Sequence, residues 1–178
     1  METKRLAQAI YEAAHLTGTF RLRSGQVSEH YFDKYRFESD PTLLAEIAGK
    51  LALLIPEHTE VLAGLELGGV PIATALSLAT GLPVVFVRKQ AKGYGTCKLA
   101  EGVGIEGKRV CIIEDVVTTG GQIAMSAKEL RERGAQVESV RCVIERDSAS
   151  RRMLEAEGLE LASLFTLDEL MAAGGGQN

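Results

Sequence analysis

The sequence predicts an α/β fold, with a doubly wound, mainly parallel sheet and a small N-terminal hood. From about residue 41 onwards, short apolar runs rich in β-branched residues alternate with segments of helical periodicity. The first 35 or so residues depart from that alternation and are expected to form a flap. The 178 residues, 46% of them hydrophobic, can bury one core but not two. We therefore expect a single domain, residues 1–178, to which residues 1–35 contribute the hood.

The N-terminal segment is predicted to contain a helix and a hairpin. Thr3 can cap a helix that runs to about Leu16. Residues 20–23 and 30–33 are predicted to be short strands, because apolar and aromatic residues flank a Ser-Gly turn. The next helix should begin at Pro41, where a Ser-Asp pair precedes proline at the first helical position.

Strands and helices then alternate along the chain. Gly, Pro and charged turns separate apolar runs of strand length from helical segments. The predicted strands are 61–65, 84–87, 110–113, 137–144 and 161–165, and the predicted helices are 71–80, 123–133, 151–157 and 167–173. In such folds, ligands bind beyond the carboxyl ends of the strands, where the strand order reverses. The polar residues after these strands are therefore expected to meet at one edge of the sheet.

Composition argues against several classes of protein. The formal net charge of −4 disfavours a general nucleic-acid binder. No apolar run reaches the ~20 residues of a membrane span, and the N-terminal residues lack the apolar region of a signal peptide. Cys97, Cys111 and Cys142 have no metal-binding or redox spacing. We therefore expect a cytoplasmic protein with reduced thiols, and no nucleic-acid or membrane partner.

The stretch VCIIEDVVTTGGQ, residues 110–122, joins an apolar strand to two adjacent acids and a Thr/Gly loop. The helix that follows offers free N–H groups beside two hydroxyls, which together make an anion site. Glu114 and Asp115 would repel that anion unless the ligand also brings hydroxyl groups or a metal. A sugar phosphate with Mg²⁺ has those parts. The alternative is that the acids are only a polar exit from the strand.

A second polar stretch, FVRKQAKGYGTCKLAEG, spans residues 86–102 and overlaps the end of a predicted strand. Arg88, Lys89 and Lys92 put a basic cluster at the same sheet edge as the acids, while two glycines give the segment mobility. A mobile basic loop from Lys89 to Gly104 could close over a diphosphate as a lid. Taken alone, the same stretch is equally consistent with a solvated surface loop.

Residues 110–122 resemble the phosphoribosyl diphosphate (PRPP) motif of type I phosphoribosyltransferases, and RKQAKGYG resembles the catalytic loop of the orotate phosphoribosyltransferases. The resemblance implies that Glu114 and Asp115 bind the ribose hydroxyls and act in catalysis with Lys92. The Thr/Gly loop would cradle the 5′-phosphate. The implied PRPP-binding residues are Arg88, Lys89, Lys92, Tyr94, Glu114, Asp115, Val116, Val117, Thr118, Thr119, Gly120, Gly121 and Gln122. Tyr94 stands where the family usually has His.

Two further segments resemble the orotate-binding parts of that family. LRSGQVSEHYFDKY, residues 22–35, is similar to the family's flap, whose aromatic residues contact the orotate ring. IERDSAS, residues 144–150, places Arg146 where the family has the arginine that pairs with the orotate carboxylate. Without the resemblance, Tyr31 is as consistent with a core aromatic, and Arg146 with a surface residue. The implied orotate-binding residues are Arg23, Tyr31, Phe32, Thr118 and Arg146.

The segment GLELGGVPIA, residues 64–73, is similar to the family's diphosphate-binding loop but lacks the lysine that many relatives have near Gly68. Either backbone N–H groups with the two glycines suffice, or Lys89 and Lys92 neutralise more of the diphosphate charge. The resemblance also implies a non-proline cis peptide in this loop, at Glu66–Leu67.

As a whole, the resemblance implies an orotate phosphoribosyltransferase, which joins orotate to PRPP to give orotidine 5′-monophosphate and diphosphate in pyrimidine (UMP) synthesis. It implies Mg²⁺ as cofactor, held through PRPP and water with no direct protein ligand. It also implies a homodimer that shares the Lys89–Gly104 loop between subunits, so that Lys92 acts in trans. Three alternatives are a purine or uracil phosphoribosyltransferase, a non-catalytic PRPP-sensing regulator and a nucleotide-binding structural module.

Overall fold

The computed structural model describes residues 1–21, 25–89 and 99–175. No helix within these ranges is long and apolar enough to cross a membrane. In chain order the elements are α1 (Thr3–Ala14), β1 (His15–Arg21), β2 (Val27–Phe32), α2 (Tyr35–Glu38), α3 (Pro41–Leu51), a 3₁₀ turn (Ala52–Leu54), β3 (Val61–Leu65), α4 (Gly69–Thr80), β4 (Val84–Val87), β5 (Ala100–Gly102), β6 (Arg109–Val117), α5 (Gly121–Glu132), β7 (Gln136–Glu145), α6 (Ala149–Ala156), β8 (Glu160–Thr166) and α7 (Leu167–Gly174).

The main sheet has the strand order β5-β4-β3-β6-β7-β8. Its neighbouring strands are parallel except for β4 and β5, which are antiparallel. The chain runs outwards from β3 to β4 and then places β6 on the other side of β3, so the strand order reverses between β3 and β6. A crevice opens at such a point, beyond the carboxyl ends of the two strands. The predicted α/β fold class is confirmed.

Helices pack on both faces of this sheet, because its inner strands bury side chains on both sides. Along β6, Val110 and Ile112 belong to a buried cluster that includes residues of α5 and α6. Cys111 and Ile113 belong to a second cluster with residues of α1, α3, α4 and α7. Burial on both faces is the reason that continuous apolar runs mark these strands in the sequence.

The N-terminal residues form a separate antiparallel hairpin of β1 and β2. The predicted hairpin is confirmed, but β1 begins at His15, so α1 ends earlier than expected, at Ala14. Thr3 is the first helical residue and not the cap, since Glu2 holds that position without a side-chain hydrogen bond. The helix α3 begins at Pro41 as predicted, and Asp40 caps it by accepting hydrogen bonds from two backbone N–H groups at 2.8 and 3.0 Å.

Two short elements differ from the sequence prediction. The helix α2 forms between the hairpin and α3, where no helix was expected. The strand β5 lies inside the predicted Lys89–Gly104 loop and pairs with the edge of β4. This pairing shortens the part of the loop that lies between sheet strands.

Candidate active site

Glu114 and Asp115 lie inside β6, and not in a loop after it. The pairing of β6 with β7 continues beyond the apolar run, with Glu114 opposite Cys142 and Val117 opposite Glu145. Asp115 is fully buried and Glu114 is partly buried. The prediction that this strand ends at residue 113, before both acids, is therefore wrong. The strand ladder instead holds them at the carboxyl end of β6, beside the crevice.

The Asp115 carboxylate contacts its own strand and a lysine from the N-terminal region. The backbone N–H of Val116 donates to Asp115 Oδ1 at 2.6 Å, and Lys34 Nζ lies 2.5 Å from Asp115 Oδ2. Lys34 comes directly before α2, whose Phe37 and Glu38 are buried. Neither Lys34 nor Glu38 was predicted from the sequence as a site residue. Their four-residue spacing, which puts two side chains on one face of a helical turn, was the available signal.

The pKa values of the acids in this cluster are shifted in different directions. Burial, together with a hydrogen bond to Asp115, raises the pKa of Glu38 to about 9. Burial likewise raises the pKa of Glu114 well above its usual range, again with a hydrogen bond to Asp115. Burial also acts to raise the pKa of Asp115, but hydrogen bonds from Glu38, Glu114 and Lys34 outweigh it and hold that pKa below its usual value. Asp115 is therefore ionised at neutral pH.

A small cavity of about 90 Å³ lies between the end of β6 and the start of α5. Gly120 has a φ of +83°, a left-handed conformation that favours glycine, and α5 begins at the next residue. Thr118 and Thr119 are exposed, whereas the side chain of Val117 is buried in the core. Backbone N–H groups at a helix start, with two hydroxyls, suit a phosphate-sized anion. The cavity is lined by Glu114, Val116, Val117, Thr118, Thr119, Gly120, Gly121, Gln122 and Ile123.

The loop between β3 and α4 packs tightly against the acids. A Cβ at Gly68 would overlap the Asp115 carboxylate, and a Cβ at Gly69 would overlap the backbone oxygen of Ile113. Glycine at both positions therefore permits a close approach of the loop to β6. The Glu66–Leu67 peptide bond is cis, which confirms the prediction. The structure thus brings the predicted diphosphate loop and the acid pair into direct contact.

The basic stretch after β4 begins beside this loop. The backbone N–H of Lys89 donates to Glu66 Oε2 at 3.0 Å. Arg88 forms an ion pair with Glu101 in β5, with Nε 3.7 Å from the carboxylate. Both basic residues therefore lie at the sheet edge next to β3. Three predicted site residues lie outside the described ranges: Arg23, Lys92 and Tyr94.

The residues predicted to contact orotate fall in two places. Tyr31 lies on β2, is 44% exposed and stacks on Phe20 with ring centroids 5.5 Å apart. Phe32 is partly buried and packs against the core cluster that contains α1. Arg146 is exposed directly after β7, and its backbone N–H donates to the Val117 oxygen at 2.9 Å. Arg146 therefore adjoins the phosphate cavity, while Tyr31 lies on the separate hairpin.

Known proteins are similar to this chain in sequence and in fold. A phosphoribosyl transferase domain model matches residues 38–158. An orotate phosphoribosyltransferase from Nocardioides sp. is 52% identical over 168 residues, which cover 94% of each chain. The chain belongs to the orotate phosphoribosyltransferase family. The predicted resemblance and enzyme class are therefore confirmed.

Two solved structures of a relative have a fold similar to that of this chain. Both are Mycobacterium tuberculosis orotate phosphoribosyltransferase. In complex with Fe(III) dicitrate, that protein has a TM-score of 0.85 at 32% identity, covering 94% of this chain and 98% of its own. In complex with PRPP, it has a TM-score of 0.81 at 30% identity, covering 95% of this chain and 98% of its own. The likeness thus extends over both the hairpin and the main sheet.

Proposed function

We propose that the enzyme transfers the phosphoribosyl group of PRPP to orotate, giving orotidine 5′-monophosphate and diphosphate in pyrimidine (UMP) synthesis. The observation that carries this proposal is the meeting of an acid pair, a phosphate-sized cavity and a glycine loop at the switch point of the sheet. The PRPP complex of the Mycobacterium tuberculosis relative supports a PRPP site on this fold. We also propose that residues 1–178 form one domain, with residues 1–35 as the hood.

The 5′-phosphate and ribose of PRPP are assigned to the end of β6. The N–H groups and hydroxyls of residues 118–122 would bind the phosphate at the start of α5. The Asp115 carboxylate would accept a hydrogen bond from a ribose hydroxyl, and Glu114 lies beside it. The buried position of Asp115 favours this role, because hydrogen bonds are strongest where water is excluded.

The diphosphate is assigned to the glycine loop and the basic stretch. Breaking the bond at ribose C1 builds positive, oxocarbenium-like character on the sugar and negative charge on the leaving diphosphate. Cations at the diphosphate therefore stabilise the transition state. Arg88 and Lys89 are assigned this role, and the hydrogen bond from the Lys89 backbone N–H to Glu66 of the loop supports it. Lys92 and Tyr94 are assigned to the same group by resemblance, with Lys92 as the principal catalytic cation.

Orotate is assigned to Arg146 and the hairpin. Arginine pairs well with a carboxylate through two parallel hydrogen bonds, and Arg146 adjoins the Thr118 end of the phosphate loop. The exposed ring of Tyr31 can stack on the flat base, and Arg23 and Phe32 are assigned to the same subsite by resemblance. Orotate is already an anion, so the enzyme needs no nucleophile of its own.

Mg²⁺ is the proposed cofactor. Within the described ranges, no group of three His, Cys, Asp or Glu side chains is arranged to hold a metal ion. By resemblance to the family, PRPP oxygens and water would supply the ligands, next to Glu114 and Asp115. When bound, the ion would neutralise charge that develops on the diphosphate.

A homodimer is proposed in which the Lys89–Gly104 loop of one protomer reaches its partner's site, so that Lys92 acts in trans. The strand β5 lies at the outer edge of the sheet, and the apolar side chains of Phe86 and Val103 are 38% and 40% exposed there. Exposed apolar side chains at a sheet edge suit a subunit interface. A cytoplasmic location is proposed as well, in keeping with the free thiols of Cys111 and Cys142.

The activity is tested by mixing the protein with PRPP, Mg²⁺ and orotate and following the loss of orotate absorbance. The loss should require PRPP and the metal, and uracil should not replace orotate. Uracil lacks the carboxylate, so it would leave Arg146 unpaired in the closed site. A folded protein that consumes no orotate, or that uses uracil equally well, would overturn the proposal.

A further inference from the structure

A lysine of the N-terminal region reaches the middle of the proposed PRPP site. Lys34 Nζ lies 2.5 Å from Asp115 Oδ2, and the Lys34 side chain is 33% exposed while that of Asp115 is 1% exposed. The same carboxylate lies against Gly68 of the diphosphate loop. Lys34 therefore brings a positive charge to the point where the acid pair meets this loop.

The diphosphate loop has no basic residue of its own. The sequence contains no Lys, Arg or His from Leu65 to Thr80, and Glu66 adds a negative charge. Arg88 and Lys89 lie at the neighbouring sheet edge, where Arg88 forms an ion pair with Glu101. A diphosphate at this loop needs cations close to its oxygens. The ammonium group of Lys34 is close to the loop through its contact with Asp115.

The backbone of Lys34 is held in place while its side chain retains freedom. The backbone N–H of Asp33 donates to the Ala14 oxygen at 2.8 Å, which ties this segment to the end of α1. Phe37, fully buried, anchors α2 in the core. The ammonium group of a lysine sits on a flexible four-carbon stem. Nζ can therefore move between two neighbouring anions without a change in the backbone.

Asp115 keeps hydrogen-bond partners if Lys34 turns away. Glu38 is 6% exposed, and burial, together with its interaction with Asp115, raises its pKa to about 9. The backbone N–H of Val116 also stays in place. Movement of Lys34 therefore does not leave a buried charge without partners, which would be strongly unfavourable.

We propose that Lys34 is a PRPP-binding residue, whose ammonium leaves Asp115 when a ribose hydroxyl takes its place and binds the diphosphate beside Gly68. The inference rests on the proposed function and adds a cation to it. It predicts that the contribution of Lys34 to affinity differs between ligands. PRPP and inorganic diphosphate would use Lys34, whereas ribose 5-phosphate, which carries no diphosphate, would not.

The test compares the affinities of these three ligands, with Mg²⁺ present, for the wild type and Lys34→Gln by titration calorimetry. Affinity for PRPP and for inorganic diphosphate should fall about tenfold or more, the usual effect of losing a hydrogen bond to a charged group. Affinity for ribose 5-phosphate should stay the same or increase, because Lys34 no longer competes at Asp115. Lys34→Arg should retain most diphosphate binding. Lys4→Gln, on the exposed side of α1, is the matched control.

Two results would overturn the inference. Equal losses for all three ligands would mean that Lys34 only orders the site, and unchanged affinity for diphosphate would mean that it does not bind that group. Thermal melts show whether each variant is folded, and Lys34→Met, which keeps the apolar stem, gives the same comparison if Lys34→Gln is unstable. Failure of the proposed function itself is recognised separately, because the wild type would then consume no orotate.

Discussion

Gly68 lies so close to Asp115 that a Cβ at position 68 would overlap the carboxylate. Gly68 follows β3, and Asp115 lies near the carboxyl end of β6. The strand order reverses between these two strands. The φ of Gly68 is −66°, an angle that other residues adopt readily. Close contact, and not backbone conformation, is therefore what requires glycine at this position.

Gly68→Ala should weaken PRPP binding about tenfold or more and lower the melting temperature, because overpacking a tight contact costs about 1–3 kcal/mol. The matched control is Gly49→Ala, in α3, where a Cβ would meet no atom within 4 Å. That variant should bind PRPP normally and gain about 0.5–1 kcal/mol of stability from the loss of a helical glycine. Normal PRPP affinity in Gly68→Ala would contradict the assigned loop.

Glu38→Gln should change how stability depends on pH. The pKa of Glu38 is raised from 4.5 to about 9, so the folded protein holds a proton that the unfolded chain releases within this range. The stability that this proton contributes is fully present below the unfolded pKa of 4.5 and is lost as the pH rises towards the folded pKa of about 9. Gln keeps the shape and the donor but cannot ionise.

Melts at several pH values check this prediction. Glu38→Gln should melt above the wild type at about pH 8–9 and close to it at about pH 4–5. The control is Glu132→Gln, an exposed acid of α5, which should follow the wild type throughout. Parallel curves for the wild type and Glu38→Gln would mean that Glu38 is not held as a protonated acid.

Arg146→Ala should weaken orotate binding by about ten- to a hundredfold, because it removes hydrogen bonds to a charged carboxylate. PRPP binding should stay nearly unchanged, since the contact of Arg146 with the phosphate loop is made by its backbone N–H. Calorimetric titration of each ligand separates the two effects, and Arg152→Ala, on the exposed side of α6, is the control. Equal weakening of both ligands would remove Arg146 from the orotate subsite.

Mixing two inactive variants, Lys92→Ala and Asp115→Asn, tests sharing of the loop between subunits. After subunit exchange, a heterodimer contains one site with an intact Asp115 and an intact Lys92 from the partner. Activity should therefore recover towards about a quarter of the wild-type value for random pairing. If exchange is confirmed independently and no activity returns, Lys92 serves its own subunit.

Most of the main sheet could be predicted from local sequence, because strands buried on both faces are continuous apolar runs, as at 61–65 and 84–87. β5 could not, since the residues Ala-Glu-Gly have little strand preference and pair only because β4 offers an edge. The end of β6 was misplaced for a related reason. Its ladder with β7 continues through Glu114 and Asp115, although the apolar run has ended.

The parts of the candidate site whose residues are neighbours in the sequence could be predicted. The acids and the phosphate cavity belong to one stretch of chain, so a single motif revealed both. The contact of Lys34 with Asp115 joins distant segments and depends on how α2 packs through Phe37. No local pattern specifies such a contact. The available sequence signal was the four-residue spacing of Lys34 and Glu38, which puts both side chains on one face of a helical turn.

The central claim is that Asp115, at the buried end of β6, binds PRPP. Titration of PRPP with Mg²⁺ into Asp115→Asn tests it most directly, alongside thermal melts and Asp168→Asn, an exposed acid of α7, as control. PRPP affinity should fall about tenfold or more in Asp115→Asn, with the protein still folded, and should be unchanged in Asp168→Asn. Wild-type PRPP affinity in a folded Asp115→Asn protein would contradict the account.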